Sequence, residues 1–251
     1  MCTVSWQHRA PAESSTVPAG YDLFFNRDES RVRGPERPPE QISEQGVQYL
    51  APADSDAGGT WVSVNEFGLS VGLLNGYTAS KGAIRESYIS RGQLVRELSG
   101  LRSPAEVMTN MTSERLADYR PLVLFAIGPD GDAKLLRWDG LCLVLIDQAE
   151  AQLPLSSSGY DQQAARERRA QLLRAARARH PQDPAAALLD FHTGAGVPPD
   201  ATSACMSRED AETRSLVHIA VSTQEVNLAY AGGRPDLTAL QEPLHLARRE
   251  S

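Results

Sequence analysis

The sequence predicts an α+β layered domain in which antiparallel sheets and helices are segregated. Three observations predict it. Apolar strand-like runs arrive as adjacent hairpins and do not alternate with helices. Helical patterns gather in two separate blocks, near 90–108 and 161–191. The 251 residues, 41% of them hydrophobic, are ample for one core, and no repeat or linker interrupts them. Residues 1–251 are therefore read as one domain, with 235–251 as a peripheral polar tail.

The elements follow in chain order. Cys2–Gln7 alternates loosely as a strand, and Tyr21–Asn26 contains the apolar run Leu23-Phe24-Phe25. Glu29–Asp56, rich in Pro, Arg and Glu, reads as a long surface excursion. Thr60–Asn65 and Leu69–Asn75 are strands flanking Glu66-Phe67-Gly68, a hairpin connection. Ser90–Leu98 places Leu94, Val95 and Leu98 on one helical face, and Gly100 suits the stop. Ser103 followed by Pro104 is an N-cap with Pro at the first helical position, opening a helix through Met108. Leu122–Ile127, Ala133–Trp138 and Leu141–Ile146 are strands, with Pro129-Asp130-Gly131 as a turn. Asp161–Arg179 is a long helix, and Pro184–Phe191 is a shorter one capped by Asp183. Ser215–Ser222 and Glu225–Ala231 close the chain as a hairpin.

Composition excludes several functions. A net charge of −7 argues against a general binder of nucleic acid or anionic membranes. No apolar run approaches the roughly 20 residues of a membrane helix, and no signal-peptide pattern opens the chain. Cys2, Cys142 and Cys205 are three cysteines without metal-type spacing, so neither a disulfide framework nor a metal site is expected. A reducing cytoplasm fits this usage.

Cys2, directly after the initiator methionine, is the first candidate for chemistry. A small second residue permits trimming of Met1, after which Cys2 carries a thiol and a free α-amine. Such an amine, with a pKa of about 7.7–8.0, serves as a base for its own nucleophile. In Asn26-Arg27-Asp28-Glu29, Asp28 is the residue type to hold an ammonium. Arg27 is the type to polarise a thiolate or anchor an anion. Gly58-Gly59-Thr60-Trp61 permits close backbone approach, and Asn75 can offer an amide to an oxyanion.

Other features read as structural. Cys142 and His218 sit inside apolar runs and are expected in the core, whereas Cys205 lies in a polar loop. The helix carrying Arg166, Arg168, Arg169, Arg174, Arg177 and Arg179 reads as a surface helix rather than an RNA-binding one. It lacks interleaved aromatics for base stacking.

Taken together, Met1-Cys2, Asn26-Arg27-Asp28-Glu29, Gly58-Gly59-Thr60-Trp61 and Leu74-Asn75-Gly76-Tyr77 resemble the NRDE family, also called the transport and Golgi organisation 2 family. Arg91-Gly92-Gln93-Leu94-Val95 and Glu212-Thr213-Arg214-Ser215 continue the match. The resemblance implies a four-layer αββα sandwich of two antiparallel sheets, similar to penicillin V acylase and bile-salt hydrolase among the N-terminal-nucleophile hydrolases. It implies Cys2 as nucleophile, Asp28 as holder of the α-amine, Asn75 in the oxyanion hole and Arg214 as the late arginine of those acylases. Arg27 departs from their spacing, being adjacent to Asp28. Leu155-Ser156-Ser157 stands where relatives have Leu-Ser-Asn, so Ser157, with Trp61, is assigned to substrate contact.

The implied activity is hydrolysis of a small-molecule amide C–N bond without a cofactor. Eukaryotic members of the family are linked with haem mobilisation and lipid metabolism. A carrier of haem or an acyl ligand on the same fold is therefore the alternative, and an interaction protein using the arginine helix is a third reading.

Overall fold

The computed structural model describes residues 2–11, 20–77 and 87–250. Met1, whose trimming the sequence reading calls for, lies outside them. The strands are β1 (Cys2–His8), β2 (Tyr21–Ser30), β3 (Arg37–Glu44), β4 (Val47–Ala53), β5 (Val62–Asn65), β6 (Ser70–Asn75), β7 (Leu122–Ile127), β8 (Ala133–Trp138) and β9 (Leu143–Ile146). They continue with β10 (Leu155–Ser157), β11 (Ala211–Val221), β12 (Glu225–Gly232) and β13 (Leu244–Ala247). The helices are α1 (Arg91–Leu98), α2 (Pro104–Thr109), α3 (Ser113–Leu116), α4 (Gln162–Arg179) and α5 (Pro184–Thr193).

One sheet runs β10-β1-β2-β11-β12-β13 and the other β3-β4-β5-β6-β7-β8-β9. Every strand pairing is antiparallel. The period of two in a strand decides which side chains meet which layer. Val4, Trp6, Leu23 and Phe25 of the first sheet face Val62, Val64, Leu74 and Phe125 of the second. Trp6 stacks on Phe125 with ring centroids 6.0 Å apart. The opposite face of the second sheet buries Leu69, Val71 and Leu124 against Leu94, Val95 and Leu98 of α1, Val107 of α2 and Leu116 of α3. That of the first sheet buries Phe24 and Leu216 against Leu173 and Ala176 of α4 and Leu188 and Phe191 of α5. The result is the four-layer αββα sandwich. Each fully buried Leu, Val or Phe stabilises it by roughly 1.5–3 kcal/mol.

Local chemistry sets the ends of the elements. Ser103 accepts from the Glu106 N–H and Asp183 from the Ala186 N–H, so both predicted caps close their helices. Asp161, read as the first helical residue, is the cap of α4, accepting from the Ala164 N–H. Asn65 fixes the β5–β6 connection. Its Oδ1 accepts from Phe67 and Leu69, while its amide donates to the carbonyls of Ser99 and Leu101 after α1.

Five expectations change. The excursion at Glu29–Asp56 contains a hairpin, β3 and β4, because β4 pairs with β5 as part of the second sheet and buries Leu50 in the core between the sheets. Pro38 and Pro39 sit in β3, the outer edge strand, at an irregularity in its pairing where a missing N–H costs little. Cys142 is exposed and precedes β9, an edge strand whose Val144 and Leu145 are also half-exposed. Cys205 is buried, donating to Asp236, and burial pushes its thiol up to about 12. The polar tail lies at the sheet edge as expected, yet β13 within it pairs with β12. His218 occupies β11, part-buried rather than fully buried, stacked on Phe24 at 4.1 Å with Nε2 3.0 Å from Asp22.

Candidate active site

The site grows from the pairing of β1. Cys2 stands opposite Ser157 of β10 on one side and opposite Arg27 of β2 on the other. β2 runs on to Ser30, past the predicted end at Asn26, so Arg27 and Asp28 are strand residues pointing to opposite faces. The Cys2 N–H donates to Ser157 Oγ at 3.0 Å. The Asp28 backbone N–H donates to the Cys2 sulfur. Burial nonetheless pushes the Cys2 thiol up, against the pull of the Arg27 charge and that N–H.

Asp28 is fully buried and held from two sides. Thr213 Oγ1 donates to its Oδ1 at 2.6 Å, and Thr213 itself accepts from the Met206 N–H. Arg169 of α4, with no exposed side chain, reaches its Oδ2 at 3.4 Å. The same guanidinium donates to the carbonyls of Ser203 at 3.0 Å and Cys2 at 3.4 Å. Burial draws the Arg169 pKa down, and the Asp28 charge opposes it.

Arg27 turns to the other face and lies over the Trp61 ring at 4.8 Å. Its terminal nitrogens meet three carboxylates: Glu29 at 3.1 Å, Glu36 at 3.3 Å and Asp54 at 3.1 Å. Asp54 lies below its ordinary range. Burial acts to raise it, and the Ala57 N–H with the Arg33 and Arg27 charges outweighs burial.

A cavity of about 280 Å³ opens over these groups, lined by Cys2, Arg27, Asp28, Trp61 and Asn75 among others. Its far wall is the start of α1, docked by the glycines the sequence flags. A Cβ on Gly59 would stand 2.4 Å from the Gly92 carbonyl carbon, and the Thr60 N–H donates to the Gly92 carbonyl at 3.1 Å. Gln93 fastens the same junction through Ala57 O at 2.9 Å. Asn75, at the end of β6, shares a hydrogen bond with the Tyr77 hydroxyl.

Five of the seven residues singled out by sequence thus line one cavity. Ser157 stands beside it as acceptor for the Cys2 nitrogen. Arg214 does not join them. β11 has an irregularity between Thr213 and Ser215 that takes Arg214 out of register. Its guanidinium reaches Glu212 at 4.0 Å, so Thr213 is the member of that segment that meets Asp28. Sequence reading also missed Arg169, assigned to a solvent-facing helix. The signal was its place on the face of Ala165, Leu173 and Ala176, where a charge is buried only if paired.

A family model described as Transport and Golgi organisation 2 matches residues 1–224. The chain belongs to that family. Solved structures of similar fold include a mutant of the conjugated bile acid hydrolase from Clostridium perfringens, with TM-score 0.56 and 12% identity over 100% of this chain and 97% of that one. The N-acylethanolamine-hydrolyzing acid amidase ortholog of Caenorhabditis elegans gives 0.52 and 12%, covering 87% of this chain and 92% of that one. Penicillin V acylase from Agrobacterium tumefaciens gives 0.52 and 13%, covering 98% and 86%. At these identities the likeness establishes the fold, that of the N-terminal-nucleophile hydrolases. No curated protein matches the chain. Among the described residues, no helix of this Transport and Golgi organisation 2 family member is long and apolar enough to cross a membrane.

Proposed function

We propose that the protein is an N-terminal cysteine amidohydrolase acting on C–N amide bonds of small molecules. One observation carries the reading: Cys2 lines a polar cavity while its nitrogen rests on Ser157 Oγ and its sulfur on the Asp28 N–H. With Met1 present that nitrogen is a peptide amide and cannot act as a base. Its removal would leave an ammonium on Cys2 itself, with Asp28 to hold it and Ser157 to orient it. A positive charge on the same residue lowers the thiol pKa, against the burial that raises it.

In the reaction the α-amine takes the thiol proton as the sulfur attacks the substrate carbonyl carbon. The Asn75 side-chain amide donates to the developing oxyanion. The C–N bond breaks, the departing amine receives the proton from the ammonium, and a thioester remains. Water, deprotonated by the same amine, cleaves the thioester to release the acid and restore the thiol. The buried pair of Asp28 and Arg169, with Thr213, fixes the carboxylate in place.

The cavity supports this reading over the haem carrier. Its volume of about 280 Å³ lies just below the range of small-molecule sites, which suits a small amide better than a macrocycle.

Intact mass of the purified protein is expected to lack Met1. Turnover of penicillin V, bile-salt conjugates or acyl-homoserine lactones is expected to collapse in Cys2→Ser while the melting curve holds. Retained Met1, cleavage unaffected by Cys2→Ser, or haem binding by both variants with no amide cleaved would each defeat the hydrolase reading.

A further inference from the structure

The cavity beside Cys2 is lined by Arg27, Arg33, Arg91 and Arg120, and these cations fall into two groups. Arg27 is enclosed by Glu29, Glu36 and Asp54. Arg33 meets Glu29 at 3.2 Å, Asp54 at 2.9 Å and Asp56 at 2.9 Å. Their charge is spent on the protein, and the anchoring role considered for Arg27 has no free terminal nitrogen to use.

The opposite wall is different. Arg91, half-buried at the start of α1, donates to the Pro121 carbonyl at 2.9 Å. Arg120, exposed at the mouth, lies over the Tyr88 ring at 5.5 Å. Among the described residues neither guanidinium has a carboxylate within ion-pair distance, and the first turn of α1 contains no acidic residue. Asp28, Glu29 and Asp54 also line the cavity, but their described ion pairs are with Arg169, Arg27 and Arg33. Two neighbouring cations with no carboxylate at ion-pair distance among the described residues repel each other unless an anion arrives. A forked guanidinium accommodates a carboxylate through two parallel hydrogen bonds. Burial draws the Arg91 pKa down, Tyr77 opposes this and the neighbouring Arg120 charge adds to it.

We propose that Arg91 and Arg120 form a carboxylate subsite across the cavity from Cys2. The substrates are then amides carrying a carboxylate close to the scissile bond, of the N-acyl amino acid class. The inference rests on the cysteine hydrolase reading and narrows it. In the reaction the subsite does not move protons. It holds the carboxylate so that the amide carbonyl lies over the Cys2 sulfur, and it rejects neutral amides that leave two cations unpaired.

The test uses two nearly isosteric thiol reagents, anionic iodoacetate and neutral iodoacetamide, on the purified chain. The exposed Cys142 serves as internal reference. Site-resolved mass spectrometry gives the iodoacetate-to-iodoacetamide rate ratio at each cysteine. The ratio at Cys2 is expected to exceed that at Cys142 by about tenfold at low salt. It should fall toward the Cys142 value in Arg91→Gln/Arg120→Gln and in high salt. Arg120→Gln alone, at an exposed position, gives part of the loss even if the double variant folds poorly. In a second arm, N-phenylacetylglycine should protect Cys2 from iodoacetamide, and N-phenylacetylglycinamide at the same concentration should not.

Equal ratios at the two cysteines, a preference that survives both substitutions, or equal protection by the two ligands overturns the subsite and leaves the hydrolase standing. A Cys2 inert to both reagents is a different failure. It removes the nucleophile and takes the subsite with it.

Discussion

The two sheets bury polar groups in different ways. Among the described strands, the buried charged side chains are Asp22, Arg27 and Asp28, all on β2 of the first sheet. In the second sheet the buried polar side chains are neutral: Ser63, Asn65 and Ser70. Each β2 charge has its own partners, Arg9 and His218 for Asp22, three carboxylates for Arg27, and Arg169 with Thr213 for Asp28. Burial of a charge is tolerated only with such partners. The first sheet therefore places partnered charges, Arg27 and Asp28, beside Cys2, and the second sheet buries only neutral polar groups among its described strands and carries Asn75 at the cavity.

The largest expected effect comes from breaking that charge network. Arg169→Met removes the buried cation paired with Asp28 and should destabilise the fold by about 3–5 kcal/mol. Adding Asp28→Asn should return most of the loss, because the carboxylate charge that Arg169 balances goes with it. Urea midpoints of the single and double variants check this. A double variant no more stable than Arg169→Met would mean that the two residues are not energetically coupled.

On the second sheet the effect should fall on turnover and spare stability. Asn75→Ala is expected to lower turnover of any amide the protein cleaves by about 10²–10³-fold, the usual cost of one oxyanion donor. Its melting temperature should stay within a few degrees of wild type. Unchanged turnover would take Asn75 out of the oxyanion role.

The smallest effect sharpens the comparison on the helix side of the first sheet. His192 of α5 is fully buried, 2.8 Å from Ser5 Oγ, and burial lowers its pKa to about 3. The folded protein thus binds this proton less readily than the unfolded chain does. The associated stability is present above the unfolded pKa near 6.5 and declines as pH falls from there toward 3. From pH 7 to pH 5 the loss is about 2 kcal/mol. Urea midpoints over that range should carry the slope in wild type and lose its share in His192→Phe. An identical slope in both would assign the acid sensitivity to other groups.

Much of this was legible in the sequence. Period-two apolar runs placed β1, β6, β7, β8 and β12 within a residue or two, because burial on one face of a sheet leaves a direct mark on composition. The helix caps at Ser103 and Asp183 were readable because a side-chain oxygen acts within three residues. The ordered motifs gathered Cys2, Arg27, Asp28, Trp61 and Asn75, which do converge on one cavity.

What the sequence determined by itself was local pattern and the inventory of reactive groups: strands, caps, a cysteine at position 2, and motif order. The tertiary structure decided which groups are partners. Arg169 and Arg214 are alike in the sequence, each an arginine in a segment of mixed polarity. The packing of α4 buries Arg169 against an aspartate 141 positions away, and the irregularity in β11 turns Arg214 outward to Glu212. The same holds for Cys142 and Cys205, whose burial depends on which edge is left open and which loop is covered. Pairing across such distances depends on position in space, and one-dimensional spacing carries no record of it.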